Sequence, residues 1–514
     1  MTDCLRLWRL SGDSKMTNLR GLLFVVLTLL VPSFALAMAE TLYVRPPGSC
    51  TFNGDGTAYA CATSTGARGA YIGLNLILWN ATDETAGRVD PGDMLYVCGT
   101  HLISSASYRI TPPVSGTVAN VITISGACPN DPGVLNGGNA SAGIRLVNLG
   151  SAGPIKYITI SSLTFQNVPA SNDYALFGHD NGAGGLVDRY ITISHNTFDK
   201  IGSNGMWLWG SQWTVTNNRL TNIGNDAIYI KGGKNSTVTG NYMARVSQTA
   251  ALGDCIQFDS ATTVGTIGTG TVTVSNNICD KSTSPNVKYG ILLGPVDGLT
   301  IVESNAIYCP LSTTLSSGCN PIYINANGPA QTARIVVRKN FVSKGWRGIT
   351  IAAANNTGFR HQLVGNVMQY AGTFGAWLDA NTDNVDISNN TFRYNGQYGL
   401  YLGKVTTTHK VTNNIFANNV VGMFYLNSPG NGRTYNDWFG NTTNIMDVDG
   451  AKTIDATDYT ANPVFVSSTD VRLQRSSALH GAGIRLGSGC IDLRGFACNS
   501  PPDLGAYQVQ PSDP

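Results

Sequence analysis

Two aspartates stand at equivalent places in successive, similar phrases of the sequence: Asp226 just before AIYIK and Asp254 just before CIQFD. Neighbouring strands lie about 4.8 Å apart, so the two carboxyl groups are expected within about 5 Å of each other. Two carboxylates that close cannot both ionise freely, and they share a proton or hold a cation. A shared proton makes an acid–base pair, and clustered carboxylate oxygens suit Ca²⁺. Lys231 closes the first phrase and Asp259 the second. Asp226 and Asp254 are therefore candidates to share a proton or hold a cation, with Lys231 and Asp259 as outward neighbours. Asp in a turn also accepts hydrogen bonds from local backbone N–H groups, which is the alternative role for both members of the pair.

The elements that must position these groups form a repeat. A short alternating strand, an Asn, and an apolar residue two places on recur around Asn196, Asn218, Asn241, Asn277, Asn305, Asn340, Asn366, Asn390 and Asn414. Each is followed by a second alternating strand, from GMWLW at 205 through AIYIK at 227 to GMFYL at 422. Strands this short gain stability by stacking coil on coil, with one continuous core. Period-two alternation places Ile228 and Ile230 inside and Tyr229 and Lys231 outside. The repeated Asn suits an inward turn, where its amide bonds backbone groups and the Asn of the next coil. The outward middle residues of the second strands are Trp207, Tyr229, Gln257, Leu292, Tyr323, Thr350, Trp377, Tyr401 and Phe424. Aromatic faces stack on sugar rings. Trp207, Trp209, Tyr229, Gln257, Tyr323, Trp377 and Tyr401 are accordingly the candidate substrate-binding residues.

Composition agrees with a coil repeat and excludes several classes. The 514 residues include 59 Gly, and only 12% are charged, too few for long surface helices. Net charge is +2, without the Lys/Arg-rich stretches of a nucleic-acid binder. Residues 1–39 read as an export signal with a true start at Met16. Arg20 is its positive region, residues 21–37 its apolar run, and the small residues to Ala39 its cleavage site. The processed chain is expected to be secreted or periplasmic, monomeric and without a membrane span. Ten cysteines after Met16 fall into near pairs, Cys50/Cys61, Cys98/Cys128, Cys255/Cys279, Cys309/Cys319 and Cys490/Cys498, which read as disulfides of an exported protein. The expected organisation is an N-terminal cap with entry coils over 40–157, coils over 158–440 and a C-terminal cap over 441–514.

The pattern resembles right-handed parallel β-helix proteins of the pectate-lyase-like superfamily. TLYV at 41 and VITISGACPNDPGVLNGG at 121 look like entry coils, and PPDLGAY at 501 like the closing segment of such chains. The resemblance implies an all-β solenoid with capped ends and a polysaccharide substrate in a groove on the outer face of the second strands. In the polygalacturonase-like hydrolases, Asn225-Asp226 and Gly253-Asp254-Cys255 would correspond to an NTD and a DD motif. Here Gly253 replaces one Asp, and Tyr289-Gly290 stands where a GHG motif would be. In the Ca²⁺-dependent lyases, Asp226, Asp254 and Asp259 would hold the ion. Lys231, Arg245 or Lys288 would then take the proton α to a uronate carboxylate, with Leu292 at the usual Lys place. β-Elimination of an acidic glycan is the expected reaction, with hydrolysis or simple carbohydrate binding as alternatives.

Overall fold

The computed structural model describes residues 39–513 apart from segments 81–86, 106–107, 139–144, 151–154, 170–173, 179–187, 250–252, 260–269, 297, 314–317, 327–332, 355–358, 404–408, 427–431 and 487–490. The expected export signal therefore lies outside the described residues except for its last position.

The described strands stack in parallel, coil upon coil, as three faces. The first face begins with Thr41–Arg45, Met94–Val97, Ile122–Ser125 and Ile158–Ser161, paired in that order. The second is a 13-stranded sheet that ends at Asp437–Phe439. The third carries Ile228–Gly232, Ile256–Asp259, Tyr289–Gly294 and their successors. Met206–Thr216 serves two faces, pairing through residues 206–210 with the third and 214–216 with the first. It turns the corner at Gly210, whose φ is 113°.

The Asn residues form one unbroken ladder at the turn between the first and second faces. The backbone N–H of Asn196 donates to Oδ1 of Asn218 at 3.0 Å, and the same bond recurs through Asn241, Asn277, Asn305, Asn340, Asn366, Asn390, Asn414 and Asn436. Each rung is saturated. Asn277 Nδ2 donates to Val238 O at 2.9 Å and to Asn305 Oδ1 at 3.0 Å, while its Oδ1 accepts from Asn241 N and Nδ2. The residue before each Asn takes the left-handed conformation, as at His195, Asn217, Asn276 and Asn413. Asn and Gly visit that region at little cost, which accounts for the recurring Asn-Asn and Gly-Asn pairs in the sequence. Asp458 Oδ1 ends the ladder by accepting from Asn436 N at 2.8 Å.

Inside, ring stacks run parallel to the ladder. Phe165 and Phe198 lie 4.4 Å apart with planes 2° from parallel, and Phe392, Phe416 and Trp438 form a second pile. Disulfides join Cys50–Cys61, Cys98–Cys128, Cys255–Cys279 and Cys309–Cys319. Cys490 of the fifth expected pair lies outside the described residues.

The C-terminal part does more than close the end. Thr443–Asp447 pairs onto the last coil, and Gly450–Lys452 turns back on it antiparallel. The chain then returns along the flank. Leu473, Leu479, Leu504 and Val509 pack on Ile415 and Ala417, and Val471 and Ala506 on Val367. The late coils of the second face are thereby covered.

Replacing Asn277 with Ala strands buried backbone groups on two neighbouring coils, each worth about 1–3 kcal/mol. The variant should unfold with about 3 kcal/mol less stability in denaturant titration, and an unchanged midpoint would refute the ladder's structural importance.

Candidate functional site

The third face presents its outward residues in one straight row. Cα pairing runs Trp207, Tyr229, Gln257, Leu292, Tyr323, Thr350, Trp377, Tyr401, Phe424 from coil to coil. Trp207 and Tyr229 have ring centroids 4.7 Å apart, and Tyr401 and Phe424 stack at 5.2 Å. A second row, two residues on, holds Trp209, Lys231 and Asp259. Lys231 Nζ sits 4.6 Å over the Trp209 ring, and Tyr229 OH donates to Asp259 Oδ2 at 3.2 Å. That carboxylate and burial together push the Tyr229 phenol pKa upward, burial being the larger cause.

A third row lies three residues before the middle one, at the strand openings. It reads Asn204, Asp226, Asp254, Tyr289, Asn320, Arg347, Phe374, Tyr398 and Val421. Between the rows the backbone is drawn close by stacked glycines. A Cβ on Gly375 would stand 2.5 Å from the carbonyl oxygen of Gly399.

Asp226 and Asp254 are together, and both are buried. Asp226 Oδ1 accepts from Asp254 N at 2.8 Å, and Oδ2 from Asn204 Nδ2 at 3.2 Å. Asp254 Oδ1 accepts from Tyr289 N at 3.0 Å. Beneath them lies Lys281, fully buried, with Nζ donating to the carbonyls of Gly253 and, at 2.9 Å, Tyr289. Burial pushes Asp226 up to about 6, against the Asp254 N–H and the Lys281 charge. Asp254 is raised further by burial and by Asp226, and Lys281 is lowered to about 8 by burial.

The expected Ca²⁺ set does not converge. Asp259 is five residues along the strand from Asp254, about 16 Å, whereas one Ca²⁺ holds its ligands at about 2.3–2.6 Å. Asp259 is also engaged by Tyr229. Among the described residues no group of three or more His, Cys, Asp or Glu is placed to hold a metal ion. Lys231 is likewise five residues along the strand from Asp226 and faces Trp209, so the expected catalytic trio is not assembled as one group.

The third row also carries Arg347, which is not among the candidates singled out from the sequence. Its guanidinium carbon lies 3.8 Å from the Trp346 ring centroid, 3.9 Å from Trp377 and 5.2 Å from Phe374. Burial lowers its pKa to about 10, opposed by the phenols of Tyr323, Tyr289 and Tyr401. It makes no ion pair with a carboxylate among the described residues, and its Nε is enclosed with no hydrogen-bond partner. Extending the Asp226/Asp254 position coil by coil would have found it, since Arg347 occupies that register three coils further on.

The family described as a right handed beta helix region matches residues 142–309 and 262–439, more than half of the chain. The chain belongs to this family. Among solved structures it is similar to a pectate lyase, Pel9A, at 13% identity and TM-score 0.39, over 92% of this chain and 98% of that one. It is also similar to XylC in complex with xylose, at 9% identity and TM-score 0.42, over 92% and 99%. A polysaccharide lyase of family PL6 from Pseudopedobacter saltans follows at 11% identity and TM-score 0.40, over 82% and 96%. No curated protein matches the chain significantly. At these identities the solved structures bear on fold alone.

The raised carboxyl pKa values mean that the folded chain holds protons more tightly than the unfolded one. Stability should therefore fall as pH rises from about 4, the ordinary carboxyl value, through the Asp226 pKa of about 6. Asp226→Asn should flatten that slope in unfolding titrations across this window. Lys281→Met should cost about 3–5 kcal/mol at neutral pH, because two buried carboxyls lose their counter-charge, and less at pH 4. Equal losses at both pH values would contradict the coupling.

Proposed function

We propose that this β-helix protein works outside the cytoplasm on an acidic polysaccharide, which lies along the third face and is cleaved there by β-elimination. The observation that carries this reading is Arg347, a cation with no carboxylate partner among the described residues, framed by Trp346 and Trp377. Aromatic planes take the apolar faces of sugar rings, and a guanidinium in a half-buried setting is a ready partner for a uronate carboxylate. In elimination the α-proton passes to a base, the C4–O bond breaks as the C4–C5 double bond forms, and the departing oxygen takes up a proton; a fixed cation on the carboxylate stabilises the negative charge that develops in the first of these steps. Tyr289, held up to about 12 by burial and so protonated at neutral pH, is placed in the same row to donate a hydrogen bond. Its partner in the stack is Tyr323, 5.1 Å away.

In this reading Asp226 and Asp254 position the site from below. Their carboxyls hold the backbone of Asp254 and Tyr289 at the openings of two successive strands. The disulfides fit an oxidising compartment, and export would bring the chain to such a substrate.

Binding to uronate-containing and neutral glycans by calorimetry, with ultraviolet absorbance of the unsaturated product as the readout of elimination, tests the proposal. Arg347→Gln should weaken acidic-glycan binding about 10–100-fold, the worth of one charged hydrogen bond, and abolish the absorbance signal. Trp377→Ala should weaken binding of acidic and neutral chains alike. Full activity in Arg347→Gln would place the chemistry elsewhere, and reducing ends released without absorbance would indicate hydrolysis.

A further inference from the structure

Among the described residues the second face is covered over its late coils and open over its early ones. The C-terminal return rests on Val367, Ile415 and Ala417, apolar outward residues that it hides. On the early coils the same rows carry Thr164, Thr197 and Arg219, then Gln166, Asp199 and Thr221. Together with the adjoining turns they line a groove of about 960 Å³.

Lys200, Arg219 and Arg245 border this groove, all three exposed, and none pairs with a carboxylate among the described residues. Arg219 lies over the Tyr242 ring at 4.6 Å. The groove's acid, Asp199, is already bound by Thr221 Oγ1 at 2.8 Å and Asn222 Nδ2 at 2.6 Å. Three cations against one carboxylate leave the groove lining with a net positive charge.

The backbone fixes the spacing of these cations. At the end of these strands one residue per coil is left-handed: Asn167 at φ 56°, Lys200 at 55°, Asn222 at 56° and Arg245 at 51°. Asn suits that conformation and long side chains do not. Later coils of the same row hold Lys344, Tyr370 and Tyr394 in that conformation too, so it belongs to the turn; in the groove it sets Lys200 and Arg245 two coils apart, about 10 Å.

We propose that this open stretch is a second binding surface, which takes a linear anionic polysaccharide along the coil axis, separately from the third face. Gln166, Thr221, Asn222, Gln248 and Thr249 supply hydrogen bonds for hydroxyl groups, and Lys200, Arg219 and Arg245 take the charges. A single-stranded nucleic acid would need aromatic platforms for its bases, and the groove lining has none. A membrane surface would need an apolar face, which is also lacking.

Calorimetry of the processed full-length chain with polygalacturonate tests this, using Arg347→Gln to remove the charged contact of the third face. Arg347→Gln should retain a salt-sensitive binding event, and adding Arg219→Gln and Arg245→Gln should weaken it at least about tenfold. Lys200→Gln, also exposed, should weaken it by a smaller factor. The groove changes should leave the melting temperature of Arg347→Gln unaltered, since Lys200, Arg219 and Arg245 are exposed. Loss of all polygalacturonate binding in Arg347→Gln alone would overturn the second surface and leave the third-face reading intact. Binding lost only through the groove changes would support the second surface and overturn the third-face reading. Unchanged affinity in the groove variants, tighter binding of a single-stranded oligonucleotide, or no binding by the parent would overturn the proposal.

Discussion

The structure depends on one repeated hydrogen bond, from the backbone N–H of one ladder Asn to the side-chain oxygen of the Asn on the next coil. A stack of short strands has no local reason to keep its height and phase from coil to coil, because the loops between strands differ in length. The ladder removes that freedom. Each amide is satisfied only when the coil above sits in register, and a slip would leave several buried polar groups unpaired at once. The outward rows of the third face are straight because the inward turn is.

The same logic places charge underneath the aromatic face. At the opening of the third-face strands Asp226 and Asp254 also tie coil to coil, but in the opposite sense: each accepts a backbone N–H from the following coil, whereas each ladder Asn oxygen accepts one from the preceding coil. Carboxyl groups in that role bring a charge problem that amides do not. Lys281 answers it with a buried ammonium that also satisfies two carbonyls. One register thus changes character along the molecule, from enclosed polar groups at Asn204 to Asp254 to a solvent-facing cation and rings from Arg347 to Tyr398.

Much of this was legible in the residues. Ladder positions, the outward middle row and the near-neighbour disulfides all follow from period-two alternation and spacing, because parallel coils convert sequence repetition directly into spatial register. Lys281 was not legible. Nothing in ICDK distinguishes a lysine that folds back beneath two acids from one that points to water, since the distinction is made by coils before and after it. Arg347 is hidden for a different reason: the strand-opening row is acidic at Asp226 and Asp254 and cationic only three coils later, and no shared motif links the two stretches. Asp259 and Lys231 were grouped with the acid pair through closeness in sequence, although an extended strand carries five residues about 16 Å.

The return of the C-terminal chain along the second face divides the solenoid into two kinds of coil. Around Val367, Thr391 and Ile415 a coil is committed, for its outer side is the seat of a segment of set length. Around Phe198 and Leu220 it is not. Duplication or loss of one whole coil among the early ones would keep every ladder bond and lengthen or shorten the molecule by about 4.8 Å. The same change among the late ones would unseat the returning chain. Length in this architecture is thus an inheritable quantity that grows from one end, and related chains of different reach are expected to differ in their count of early turns.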